Sequence, residues 1–175
     1  MSHYFFAAKL PSALKETMND EMAGLKDIYP FKRWVHHEDL HITLAFLGHA
    51  PEDKLDRAKK LVKHAIQHVE SFQLTVGGLG TFGRKDQPRI LWAGVSESSE
   101  LRELRKRVFK ACEEAGFQLE TRPFSPHVTL ARNWEGERPF QKADRSLKSY
   151  DFIVEEAVLY RTNMEKTPKY EPVEI

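Results

Sequence analysis

Apolar positions change their period several times along the chain, and each change marks an element. Tyr4 to Ala8 is a continuous aromatic and apolar run, the pattern of a buried strand. From Pro11-Ser12 the spacing becomes four, four and three at Leu14, Met18, Met22 and Leu25, which predicts a helix with one apolar stripe. Ile28 to His37 reads as a connecting loop carrying Trp34 and Val35. A second helix begins at Pro51-Glu52-Asp53, with acids where the helix dipole favours them and a stripe of Leu55, Ala58, Leu61, Val62, Ala65, Ile66 and Val69. Phe72, Leu74 and Val76 alternate as a strand ending in Gly77, Gly78 and Gly80. After the polar turn Gly83 to Asp86, Ile90 to Val95 is apolar on both faces, as in a central strand. A third helix is capped by Ser98 or Ser99, carries Leu101, Leu104, Val108, Ala111, Cys112 and Ala115, and closes at Gly116. Phe117 to Glu120 reads as a short strand and Asn133 to Ser149 as an exposed polar loop. Phe152 to Val154 and Ala157 to Tyr160 form one strand or two, and Tyr170 to Ile175 adds a last one. So few helices among so many strands fit an α+β fold with antiparallel sheets better than a doubly wound parallel sheet.

One phrase occurs twice. His41-Ile42-Thr43-Leu44 and His127-Val128-Thr129-Leu130 are both H-x-T-L, 86 positions apart (41 to 127) in a chain of 175. As strands, each copy puts its histidine and threonine on one face and two apolar anchors on the other. That spacing suits two similar halves that each give one strand to a shared site. Two facing imidazoles supply an acid and a base near neutral pH. Two hydroxyls hold an anion between them.

Composition narrows the partners. At 175 residues, 41% hydrophobic and 30% charged, the chain is expected to form one globular domain, residues 1–175. A net charge of +1 does not suggest a protein that wraps long duplex nucleic acid, which usually shows a basic stripe, and leaves room for a small anion or one RNA end. The single cysteine, Cys112, excludes an intrachain disulfide and reads as a buried, inert thiol. No leader and no apolar run of membrane length are visible, so a cytoplasmic location is expected.

Other residues invite chemistry. His36, His37, Glu38, Asp39 and His41 are five metal-ligand types in six residues, and His64 and His68 stand four apart. The first group straddles a loop-to-strand junction and the second lies beside Lys60 and Lys63, so both read as solvated surface and no metal site is assigned. Trp34, Phe46, Phe124 and Tyr4 are candidates to stack a base. Arg132 follows the second H-x-T-L but has the parity of Val128 and Leu130. It reaches the histidine face only if the strand bulges, twists or ends near Ala131.

Three stretches, Phe5-Phe6-Ala7-Ala8-Lys9-Leu10-Pro11, Leu40-His41-Ile42-Thr43-Leu44-Ala45-Phe46-Leu47-Gly48 and Arg122-Pro123-Phe124-Ser125-Pro126-His127-Val128-Thr129-Leu130-Ala131-Arg132, resemble the 2H phosphoesterase superfamily. Within it the likeness is to the bacterial RNA 2′,3′-cyclic phosphodiesterases, formerly called 2′-5′ RNA ligases. The resemblance implies a bilobal, LigT-like α+β fold, with two pseudo-symmetric lobes of antiparallel sheet flanked by helices around a central cleft. It implies hydrolysis of 2′,3′-cyclic phosphate ends of RNA or nucleotides to 2′-phosphates, without metal or cofactor. By the same likeness His41 is the proton donor and His127 the proton acceptor, with Thr43, Thr129 and Arg132 on phosphate or substrate. The partners implied are RNA ends or nucleotides; no membrane or protein partner is evident in the sequence, and a monomer is expected. The alternatives are reversible 2′-5′ RNA joining by the same acid–base pair, or a non-catalytic RNA-binding module on the same fold.

Overall fold

In the computed structural model residues 2–142 and 147–175 are described. Their elements run β1 (His3–Lys9), α1 (Ser12–Lys26), β2 (Phe31–Trp34), β3 (His41–His49), α2 (Glu52–Ile66), β4 (Phe72–Gly83), β5 (Pro88–Val95), α3 (Ser99–Glu114), β6 (His127–Trp134), β7 (Tyr150–Val154), β8 (Ala157–Thr162) and β9 (Tyr170–Val173), with one 3-10 turn at His37–Asp39. The fold is α+β, as the patterning predicts. The helices sit where the apolar stripes place them. Leu14, Met18, Met22 and Leu25 of α1 are buried, and the Ser98 hydroxyl caps α3 by accepting the Leu101 N–H. Gly116 closes α3 at φ +103°, a conformation that glycine adopts without steric cost.

Every described strand pairing is antiparallel. The strands join in the order β7-β4-β5-β6-β3-β1-β8-β9, and β2 pairs with β6 as well. Along that order four strands lie on each side of the β6–β3 contact, and that contact is a single bridge, Ile42 opposite Val128. The two H-x-T-L strands are therefore the seam between two halves, four strands on the β3 side and five, with β2, on the β6 side.

One face of this curled sheet meets the helices. Phe6, Ala8, Ile42, Leu44, Leu91, Ala93, Val128 and Leu130 pack there in one core with the buried residues of all three helices. Each large aliphatic or aromatic side chain taken from water into such a core stabilises by roughly 1.5–3 kcal/mol. The other face carries both histidines and a small separate cluster of Phe5, Ala7 and Tyr160, with Val158 and Tyr170 against it. Cys112 lies in the main core, where burial pushes its thiol up to about 12, so it is inert as expected.

Several local readings are corrected. Phe31 to Trp34, read as loop, is strand β2 on β6. β4 does not end at its glycines but continues to Gly83, because Gly80 lies under the ring of Trp92. A Cβ there would stand 2.1 Å from two ring carbons. Phe117 to Glu120 forms no strand, although Phe117 and Leu119 pack on the core. Of the polar loop expected over 133–149, Asn133 and Trp134 belong to β6, Phe140 packs on Tyr29, Phe31 and Trp134, and Leu147 is buried; residues 143–146 lie outside the described residues. Residues 152–154 and 157–160 fall in two strands that serve opposite halves, β7 on β4 and β8 on β1.

Candidate active site

The site forms where the two motif strands meet. Ile42 and Val128 are opposed, so carrying that register one residue each way sets His41 against Thr129 and Thr43 against His127. The four polar side chains thus share one face, imidazole and hydroxyl alternating around the seam. The anchors Ile42, Leu44, Val128 and Leu130 are all buried on the other face.

Both motif strands then break step. Opposite β1, Phe6 pairs with Ala45 and Ala7 with Thr43, so Leu44 is the extra residue of a bulge. Opposite β5, Leu91 pairs with Ala131 and Trp92 with Thr129, so Leu130 is the extra residue there. The burial patterns follow. Leu44 and Ala45 are buried in succession, as are Leu130 and Ala131, and the next side chains, Phe46 and Arg132, turn back to the histidine face. The bulge resolves the parity of Arg132, and it makes Phe46 its counterpart in the other half. Phe46 is 57% exposed, whereas Tyr4, Trp34 and Phe124, the other stacking candidates, pack against the core.

The imidazoles are oriented by backbone. His41 Nδ1 lies 2.7 Å from the Asp39 carbonyl and His127 Nδ1 lies 2.8 Å from the Ser125 carbonyl. A carbonyl can only accept, so each Nδ1 carries hydrogen and each Nε2 is the atom free to exchange a proton. His41 Nε2 is 3.0 Å from Thr43 Oγ1, which donates to it while the ring is neutral. Among the described residues His127 Nε2 has no hydrogen-bond partner.

Aromatic walls hold both rings. Phe5 lies 4.7 Å from His41 between centroids and Tyr170 meets it edge-on at 5.2 Å; Phe82 meets His127 edge-on at 4.9 Å and Trp92 stands behind at 6.4 Å. Burial in this setting lowers the pKa of both. His41 is taken to about 4, mainly by desolvation, with the Asp39 carbonyl and carboxylate opposing and the charges of Arg132 and His127 adding. Desolvation also lowers His127, opposed by the Ser125 carbonyl and reinforced by Arg132. Arg132 therefore lies within electrostatic reach of both imidazoles, and it engages the Tyr170 hydroxyl.

Asp39 has a different part from the one its neighbours suggest. Its buried carboxylate accepts the backbone N–H groups of Lys169 (3.0 Å) and Tyr170 (3.1 Å), while its carbonyl orients His41. It ties the start of β9 to the motif strand. No period or motif marked Asp39, Tyr170 or Phe82 for this work; the available signal was an acid two residues before the first histidine. His36 and His37 stack on one another at 4.6 Å, and His64 and His68 are exposed. A cavity of about 520 Å³ between α1 and β7 is lined by Lys9, Asp151, Glu155 and Glu156 among others, and by neither histidine. Its carboxylates would repel a phosphate.

Residues 11–165 match the 2′-5′ RNA ligase superfamily. The chain belongs to that superfamily. Within this superfamily, an RNA 2′,3′-cyclic phosphodiesterase of Geobacillus stearothermophilus is 49% identical over 175 residues, covering 98% of this chain and 56% of that protein. One from Bacillus subtilis is 32% identical over 177 residues, covering 98% of this chain and 93% of that protein. The chain thus spans just over half the length of the first relative and nearly all of the second. Among solved structures, Escherichia coli LigT complexed with 3′-AMP superposes with a TM-score of 0.83 at 25% identity, over 99% of this chain and 95% of that one. TT0787 of Thermus thermophilus has the same fold, with a TM-score of 0.82 at 24% identity over 98% and 95%. Among the described residues no helix is long and apolar enough to cross a membrane.

Proposed function

We propose that the protein opens 2′,3′-cyclic phosphates at RNA ends or on nucleotides by two-histidine acid–base catalysis. The observation that carries this reading is the paired motif: two imidazoles, each oriented through Nδ1, with Nε2 facing a shared surface beside two hydroxyls and one guanidinium. The names of the relatives at 49% and 32% identity support the same chemistry.

His127 Nε2, unpartnered in the free protein, takes a proton from water as its oxygen attacks phosphorus. His41 Nε2–H gives a proton to the ribose 3′-oxygen as the P–O3′ bond breaks. In-line geometry requires the two groups on opposite sides of phosphorus, and the seam offers one histidine from each half. Thr43, Thr129 and Arg132 hold the non-bridging oxygens, whose charge such donors stabilise. In the free protein His41 is neutral at pH 7 and occupies the Thr43 hydroxyl. Arrival of the anionic phosphate favours the imidazolium, which becomes a donor and releases that hydroxyl to the phosphate. Solvent then returns the proton from His127 and recharges His41.

The test is incubation with a 2′,3′-cyclic mononucleotide in EDTA and chromatography of the products. Turnover to the 2′-phosphate alone is expected. A requirement for added zinc or manganese would overturn the metal-free chemistry. Mainly 3′-phosphate, the isomer carried by the 3′-AMP in the E. coli structure, would reverse the assigned orientation of the ribose.

A further inference from the structure

Arg132 is not alone at its end of the site. In the β2–β6 ladder Arg33 stands directly opposite it. Directly opposed residues present their side chains on the same face with Cβ atoms about 4.5–5.5 Å apart, and like charges so placed repel. Lys169 closes the group from β9's approach, with its ammonium 5.1 Å from the Tyr170 ring and within the field of both arginines. Among the described residues none of the three forms an ion pair. The carboxylate within range, Asp39, already accepts two backbone N–H bonds. Three cations are thus held together by backbone pairing and by a tether, in a chain whose overall charge is only +1. Among the described residues the favourable contacts of Arg132 and Lys169 are with Tyr170 and not with a carboxylate, so the mutual repulsion of the three is left for a bound polyanion to offset.

The order of the cations suggests what they bind. Arg132 belongs with the motif and the reacting phosphate. Arg33, one strand further out and exposed, and Lys169, half-buried beside Tyr170, extend the positive surface away from the seam. We propose that Arg33 and Lys169 form a second phosphate site, which receives the phosphodiester on the 5′ side of the terminal nucleotide. Resting on the reading above, this makes the preferred substrate an RNA chain with a cyclic end rather than a free cyclic nucleotide. A free cyclic nucleotide has nothing to place there.

The experiment compares a cyclic-ended dinucleotide, which adds one phosphodiester, with the cyclic mononucleotide on wild type and on R33A, K169A and the double variant. The ratio of kcat/KM for dinucleotide over mononucleotide should fall about tenfold in the double variant, as expected for lost hydrogen bonds to a charged group. Arg33→Lys, which keeps the charge, should retain most of it. Binding of a labelled RNA hexamer ending in a 2′-phosphate, followed by fluorescence anisotropy, gives a second readout that needs no turnover. The double variant should bind it less tightly, with a log–log salt slope shallower by roughly 0.7, the value for one phosphate contact on a single strand. An unchanged ratio overturns the proposal, and so does an equal loss on both substrates, which would put these cations on the reacting phosphate. If wild type opens neither substrate, the cyclic-phosphate reading falls by itself. The hexamer then still decides, because unaltered RNA affinity in the double variant removes the second site.

Discussion

The surroundings of His41 and His127 repeat each other in backbone and differ in almost everything else. Each histidine begins its strand, gives Nδ1 to a carbonyl two residues earlier and is followed by a bulge after its threonine. Yet His41 sits among Phe5, Tyr160 and Tyr170 with its Nε2 taken by Thr43, whereas His127 is walled by Phe82 and Trp92 with its Nε2 open. The third residue after each threonine differs as well: Phe46 on one side, Arg132 on the other. The motif thus supplies the symmetry, and side chains outside it supply the difference. In the mechanism proposed above, two copies of one phrase become an acid and a base because their neighbours differ.

The strongest way to break this comparison is to remove each ring. His41→Ala and His127→Ala should each lower kcat by about 10² or more, the usual worth of a positioned acid or base. Near wild-type turnover in either variant would strike that residue from the mechanism. Thr43→Ala and Thr129→Ala should each cost less and leave binding measurable.

Next come the counterparts after the bulges. Arg132→Ala should lower kcat/KM about 10- to 100-fold, since hydrogen bonds to charged groups are worth about 1.5–3 kcal/mol. Phe46→Ala should raise KM by about five- to tenfold with little change in kcat, from the loss of base stacking worth about 1–3 kcal/mol. Equal losses in kcat from both would mean that Phe46 supports the fold of the site and not the base.

pH separates the halves in the free and bound states. Both imidazoles titrate below 6.5 before substrate arrives, so the bell in kcat/KM should centre on the acid side of 6.5 whichever ring is the acid. A bound phosphate favours the imidazolium, so the profile of kcat should lie at higher pH. Coincident profiles would contradict this.

The last effect is on stability. His41 is held neutral by folding, so its contribution is full above pH 6.5 and is lost as pH falls toward 4, on the order of 3 kcal/mol in all. His41→Gln should flatten the fall in melting temperature across that window. An unchanged slope would place the His41 pKa near its ordinary value.

What could be read in advance followed from period and repetition. The stripe Leu14, Met18, Met22 and Leu25 located α1, and the doubled H-x-T-L located the seam. What escaped depended on contacts distant in sequence. Phe31-Lys32-Arg33-Trp34 has no alternation to reveal it, because β2 exists only by pairing with residues a hundred positions later. Phe117-Gln118-Leu119-Glu120 alternates but pairs with no strand. The glycines of β4 read as a stop, since nothing local announces the indole laid across Gly80. Asp39 read as part of a solvated loop because its partners, two backbone amides 130 and 131 residues away, carry no sequence signal.

The paired bulges make the motif a matter of counting. Between each threonine and the side chain that returns to the site, the chain spends two buried residues, Leu44-Ala45 and Leu130-Ala131, where a regular strand would spend one. Replacing either alanine with another small residue keeps the count. Deleting it does not: without Ala131, the guanidinium of Arg132 would point into the apolar core and the side chain after it would face the substrate. Inheritance in these strands therefore tolerates changes of letter far better than changes of length, and an aligned gap of one residue after H-x-T-L would signal a lost site even with both histidines in place.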